Sequence, residues 1–205
     1  MTRDDVLIIL GDFGGIWDYE KSSNEENYWL RWLEQKPFTI LFVDGNHENF
    51  DLLYQFPIEE RYGGKVHRLR KNIFHLMRGE VFEIEGKTFF AFGGATSVDR
   101  HRRKEFISWW KDENFSMAEF ETAADNLDKV DFTVDYVLTH TAPKRFIANG
   151  TDSTFDIDNC PTSQMLSGLE QMLIYKKWFF GHFHVDYCIE DSVAAWMYKK
   201  IVEIN

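Results

Sequence analysis

The sequence predicts a mixed α/β fold, built as two packed sheets or one large mixed sheet, in a single domain over residues 1–205. Three observations carry this. Apolar runs of strand length recur along the chain, among them VLIIL at 6–10 and FTILFV at 38–43. Between them lie stretches with helix-cap signals and helical spacing. One stretch, VFEIEGKTFFAF, turns on a Glu-Gly pair as hairpins do. Strands with intervening helices and hairpins belong to layered α/β architectures.

Taken in order, VLIIL is a short buried strand. SSNEENYWLRWLEQK opens with a capping box, Ser23 to Glu26, and sets Trp29 and Leu33 four apart on one helix face. FTILFV is a second buried strand, followed by a short helix around ENFDLLYQF. VFEIEGKTFFAF (81–92) is a hairpin turning at Glu85-Gly86. Ser116 and Glu119 cap the helix SMAEFETAADNLDKV. DYVLT (135–139) is a strand and PTSQMLSGLEQMLIY a helix. From KWFF through KKIVEI the chain reads as several more short strands.

Composition narrows the class. The 205 residues are 44% hydrophobic and 17% aromatic, which is globular rather than disordered. No apolar run reaches membrane-span length, and MTRDD is acidic, unlike a secretory leader. Cys160 and Cys188 are the two cysteines, neither in a CxxC, so neither a disulfide framework nor a thiolate zinc site is expected. The expectation is a soluble cytoplasmic protein. A net charge of −11 disfavours non-specific nucleic-acid binding. Nucleic acid therefore enters only as substrate, because a bound metal inverts the field locally.

Four apolar runs stop at a residue of metal-ligand type. VLIILGD ends in Asp12, TILFVDGNH in Asn46 and His47, YVLTH in His140, and WFFGH in His182. His184 follows two residues later and points the same way as His182 if the backbone is extended. Ligands in α/β sheets collect outside the carboxyl ends of strands, so these side chains are expected at one rim. Imidazole, carboxylate and amide oxygen without thiolate suit Mn, Fe or Zn. An Asp can bridge two such ions, which clamp the attacking and leaving oxygens of a phosphoryl displacement. Each piece alone has a plainer reading as a turn or a structural histidine; the four in this order do not.

These motifs resemble those of the calcineurin-like metallophosphoesterases. GD at 11–12, GNHE at 45–48, His140 after a strand, and GHFH at 181–184 match four of that superfamily's five blocks in order. The resemblance implies a sandwich of two mixed β-sheets flanked by helices, lacking its first strand. It implies a phosphoesterase that hydrolyses a phosphomonoester or phosphodiester with metal-bound hydroxide. Asp12 would bridge two metals, Asn46, His140 and His182 would complete one, and His184 would join the other. His47 would stabilise phosphoryl charge or protonate the leaving oxygen. The cofactors implied are divalent ions (Mn, Fe, Zn or Ni), two in the family and one expected here.

The one-ion expectation follows from a departure. The family's Asp-x-His block precedes the GD strand, and five residues leave no room for it, so the second metal position and the activity should be impaired. Met1 is then expected to be an internal methionine of a longer form. DRH at 99–101 has the right letters in the wrong place. The family also has an Asp three residues after the bridging one, where this chain has Gly15. Asp44, Glu48 or Asp18 would orient His47, or it acts unaided. In GGATSVDRHRRKEFISWW, Arg100 and Arg103 are candidate phosphoester contacts, against the plainer reading of a solvated charged face. Trp109 and Trp110 read as core or interface, and His67 and His75 as structural. The alternative class is a non-catalytic binding or regulatory module that keeps the fold.

Overall fold

The computed structural model describes residues 1–18, 23–147, 159–188 and 193–204. Its strands form two mixed sheets. The first is five-stranded, in the order β1 (Val6–Leu10), β2 (Thr39–Val43), β5 (Ile73–Leu76), β4 (Gly64–Arg70), β3 (Ile58–Arg61). The second is six-stranded, in the order β10 (Tyr187–Cys188), β11 (Ala194–Trp196), β9 (Lys177–Phe180), β8 (Tyr136–Thr139), β7 (Lys87–Phe92), β6 (Glu80–Ile84). β1, β2 and β5 run parallel, as do β7, β8, β9 and β11.

Side-chain alternation along these strands builds the layers. Leu41 and Val43 of β2 meet Phe89, Ala91, Leu138 and Phe179 of the other sheet in the core between the two. The intervening Ile40 and Phe42 face outward, onto Leu30 of α1 (Asn24–Glu34) and onto Phe50 and Leu53 of α2 (Phe50–Leu53). On the opposite flank, Phe90, Val137 and Trp178 pack on Ala123 and Leu127 of α3 (Met117–Asp128). Leu166 and Leu169 of α5 (Pro161–Glu170) join them, as does Ile147 of α4 (Lys144–Ile147). The result is the sandwich of two mixed sheets between helices. Among the described residues, no helix is long and apolar enough to cross a membrane.

Local signals held where they rest on backbone chemistry. Both capping boxes form, at Ser23/Glu26 and at Ser116/Glu119. The Glu85-Gly86 turn has positive φ at both residues (52° and 72°), as a two-residue hairpin turn with the sheet's own twist requires. Other expectations are corrected. α1 buries Glu26 and Leu30; of the pair four apart, Leu33 packs on the outer core while Trp29 lies exposed. α5 stops at Glu170, before MLIY. KKIVEI is in neither sheet: Val202 and Ile204 pack on the inter-sheet core without ladder hydrogen bonds. Alternation there records which side chains are buried, not strand pairing. β3 and β4 are not apolar runs because their solvent-side positions carry charges, as in IEER and GKVHRLR.

Behind the end of β2 lies a buried polar chain. Asp44 is fully buried and accepts from Arg78 Nε (3.0 Å) and Nη2 (2.5 Å) and from His75 Nε2 (3.0 Å). Burial alone would raise the Asp44 carboxyl, but the Arg78 guanidinium and His75 hold it well below the usual carboxylate range. Arg78 also donates to the Asp112 carbonyl (2.8 Å) and pairs with Glu119 of α3. With Nε2–H of His75 given to Asp44, His75 Nδ1 accepts from His67 Nδ1–H at 3.0 Å.

Burial, with His75 beside it, pushes the His67 imidazole down to about 4 from 6.5. A lowered folded-state pKa means the unfolded chain takes the proton first. The stability that neutral His67 contributes is complete above pH 6.5 and is lost as pH falls towards 4. The expected slope is about 1.4 kcal/mol per pH unit across that window. Urea unfolding of wild type and His67→Leu checks this. The variant should lose stability less steeply on acidification, and equal slopes would contradict it.

Candidate functional site

β1 and β2 are parallel neighbours with Leu10 beside Val43, so Asp12 and the 44–47 loop leave the first sheet at the same end. In the second sheet Thr139 of β8 pairs with Phe180 of β9, which sets His140 and His182 together. The two pairs meet at a common rim. β9 ends at Phe180, so the histidine pair is not on an extended strand. His182 and His184 have φ of 66° and 54°, with Phe183 turned into the core between them. Asp12 has φ 52°. Left-handed backbone at three non-glycine residues costs on the order of 1–3 kcal/mol each and must be held by the surroundings.

His140 is the centre of the arrangement. Its Nδ1 lies 2.7 Å from the Leu10 carbonyl, an acceptor, so Nδ1 carries the proton. In the neutral ring Nε2 is then a lone pair. It lies 3.0 Å from Asn46 Oδ1 and 3.5 Å from Asp12 Oδ1, both acceptors. The Asn46 amide cannot be turned round, because its Nδ2 donates to Ser97 Oγ at 3.0 Å. Ser97 in turn donates to the buried Glu113. Three lone-pair groups thus face one another. The His182 ring stands edge-on to His140 with centroids 4.9 Å apart. Gly45 is required for the approach: a Cβ there would lie 2.1 Å from Asp12 Oδ1.

Burial tends to raise the Asp12 carboxyl, yet His140 and His47 beside it hold it below its usual range. Burial pushes His182 well down, which keeps its ring neutral. Among the described residues, no group of three or more His, Cys, Asp or Glu side chains is gathered tightly enough to hold a metal by itself. The Asn46 amide oxygen stands beside His140 and Asp12.

His47 donates its backbone N–H to Asp12 Oδ1 at 3.0 Å, and its half-buried ring stands edge-on to Trp17 at 5.9 Å. None of the three acids considered as its orienter takes that place. Asp44 is held by Arg78 and His75, and Asp18 accepts from Ser23 N–H at 3.2 Å. Glu48 accepts from Phe13 N–H at 2.8 Å. Glu48 is fully buried, its Oε2 has no partner, and burial with the nearby Asp12 charge raises its carboxyl well above the normal range. The carboxylates whose charge reaches His47 are Asp12 and Asp99. Asp99 is in the basic segment and pairs with Arg103 at 2.7 Å.

The structure gathers Asp12, Asn46, His47, His140 and His182, and brings Arg103 alongside, its charge felt at His47. It does not bring Arg100, which is exposed over the Trp109 ring at 5.3 Å. His184 is exposed as well, stacked on Tyr198 at 4.9 Å. Trp110 is core, as expected. Ser97 and Asp99 lie in the segment singled out with Arg100 and Arg103; sequence reading did not single out Trp17 or Glu113, which supports Ser97. The GDFGGIW segment following the first ligand was the available signal for Trp17.

The family model for calcineurin-like phosphoesterase matches residues 2–186. The chain belongs to that family, a family of phosphoester hydrolases. Comparison with curated proteins finds no match.

Gly11 has φ 90°, and a Cβ there would lie 2.1 Å from His140 Nδ1. Gly63 has φ 83° with nothing within 4 Å of the same position. Both Gly→Ala changes are expected to cost about 1–3 kcal/mol from backbone strain. Gly11→Ala should cost measurably more, through displacement of His140, in urea unfolding. Equal losses would mean that the crowding at His140 is not there.

Proposed function

We propose that the chain is a metal-dependent phosphoesterase, hydrolysing a phosphomonoester or phosphodiester at the rim formed by Asp12, Asn46, His140 and His182. The observation that carries this reading is His140 Nε2, a lone pair held 3.0 Å and 3.5 Å from two acceptor oxygens. With the ring neutral and no cation between them, these groups repel. Donors bound at about 2.1 Å to a tetrahedral or octahedral ion stand about 3.0–3.4 Å apart, so the spacing fits one. Asp12, Asn46 Oδ1, His140 Nε2 and His182 would hold it, and the donor set suits Mn, Fe or Zn.

Such an ion, when bound, supplies Lewis acidity towards a phosphoryl oxygen and lowers the pKa of a water. The remaining work falls to side chains. His47 offers an imidazole N–H towards the phosphoryl group, stabilising developing charge or protonating the leaving oxygen. Arg103, pinned by Asp99 and by the Ser108 carbonyl (3.2 Å), presents a fixed guanidinium on the same side. Leu10 and Ser97 fix the directions of His140 and Asn46. One tightly held ion per chain is the proposal.

The test is Mn-stimulated hydrolysis of an aryl phosphodiester. His47→Ala is expected to lower kcat by about 100-fold or more, with Mn binding retained. Equal rates in variant and wild type would favour the non-catalytic binding module.

A further inference from the structure

We propose that Glu113 is a positioning residue for the cation, acting through Ser97 to decide which end of the Asn46 amide faces His140 and Asp12; this rests on the cation position proposed above. Asn46, Ser97 and Glu113 are all buried, so their hydrogen bonds are settled among themselves. Glu113 holds Ser97 with both carboxylate oxygens. Oε1 accepts the Ser97 backbone N–H at 3.1 Å, and Oε2 accepts the hydroxyl at 2.6 Å. Two further bonds lock the segments around that contact: Ala95 N–H to the Glu113 carbonyl at 3.0 Å, and Thr96 Oγ1 to Asn114 Oδ1 at 2.9 Å.

A serine hydroxyl has one proton to give. The ionised carboxylate is the stronger acceptor and takes it, which leaves only lone pairs on Ser97 towards Asn46. Asn46 must then turn its Nδ2 donor to Ser97 (3.0 Å) and its Oδ1 to His140 Nε2 (3.0 Å). Oδ1 is the end that a cation can use. The reverse amide would set an N–H donor against His140 Nε2 and Asp12, satisfying them as an ordinary neutral network with no place for an ion. Glu113→Gln inverts the relay at constant shape. The Ser97 backbone N–H keeps the new amide's oxygen where Oε1 was, so its nitrogen stands where Oε2 was and donates to Ser97. The hydroxyl proton passes to Asn46, which accepts it by turning round.

Calorimetric titration with Mn tests this in wild type and in Glu113→Gln, each also carrying Asn46→Asp or Ser97→Ala. Burial raises the Glu113 carboxyl above its usual range, so the titration is run at about pH 8, on the ionised side. Glu113→Gln alone is expected to bind Mn about 10–100-fold more weakly. Aspartate presents an oxygen whichever way it is turned, so in the Asn46→Asp protein the same change should cost no Mn affinity. In the Ser97→Ala protein, where the link is cut, it should likewise change nothing. Undiminished Mn affinity in Glu113→Gln, or an equal loss in every background, would overturn the relay and leave the cation position intact. A wild-type chain that takes up no Mn would overturn both.

Discussion

The hydrogen bond from His140 to the Leu10 carbonyl joins residues 130 apart in the chain and bridges the ends of two different sheets. Its consequence is chemical as well as structural. With the proton of the neutral ring fixed on Nδ1, the other nitrogen presents a lone pair to Asp12 and Asn46. Had the proton been on Nε2, the same side chains would form an ordinary neutral network with no use for a cation. Gly11 permits the contact because any side chain there would occupy the imidazole's place.

A second constraint holds the partner loop. Asp44 directly precedes the glycine that approaches Asp12, and it is locked by Arg78 and His75 in full burial. Breaking such a buried pair by removing one partner costs about 3–5 kcal/mol. Arg78 reaches on to the backbone at Asp112 and to α3, and Glu113, beside Asp112, supports Ser97 and so Asn46. The 44–47 loop is thus tied to the helices on both sides of it. That rigidity allows Asp12 and His182 to stay in the left-handed backbone that aims their side chains at the rim.

The sequence was most informative where one residue type has one physical use. Strand ends terminating in Asp, Asn and His, glycines before three of them, and the two capping boxes all led to the observed placements. It was least informative where geometry depends on partners distant in the chain. β3 and β4 were hidden by their exposed charges. Arg100 and Arg103 were indistinguishable as letters, and they separate only because Arg103 folds back on Asp99 and Trp17 while Arg100 lies over Trp109. His184 follows the same GHFH motif as His182, yet the left-handed turns around Phe183 leave it exposed on Tyr198. Nothing local to Trp17 says that Trp110 and His47 would flank it.

All of this converges on one point in space, the position facing His140 Nε2. Anomalous diffraction from Mn-soaked crystals, collected on the low-energy side of the Mn edge and just above it, locates that ion directly. The account predicts one strong Mn peak per chain within bonding distance of Asp12, Asn46, His140 and His182. A Mn peak elsewhere on the molecule with none at this position would contradict it.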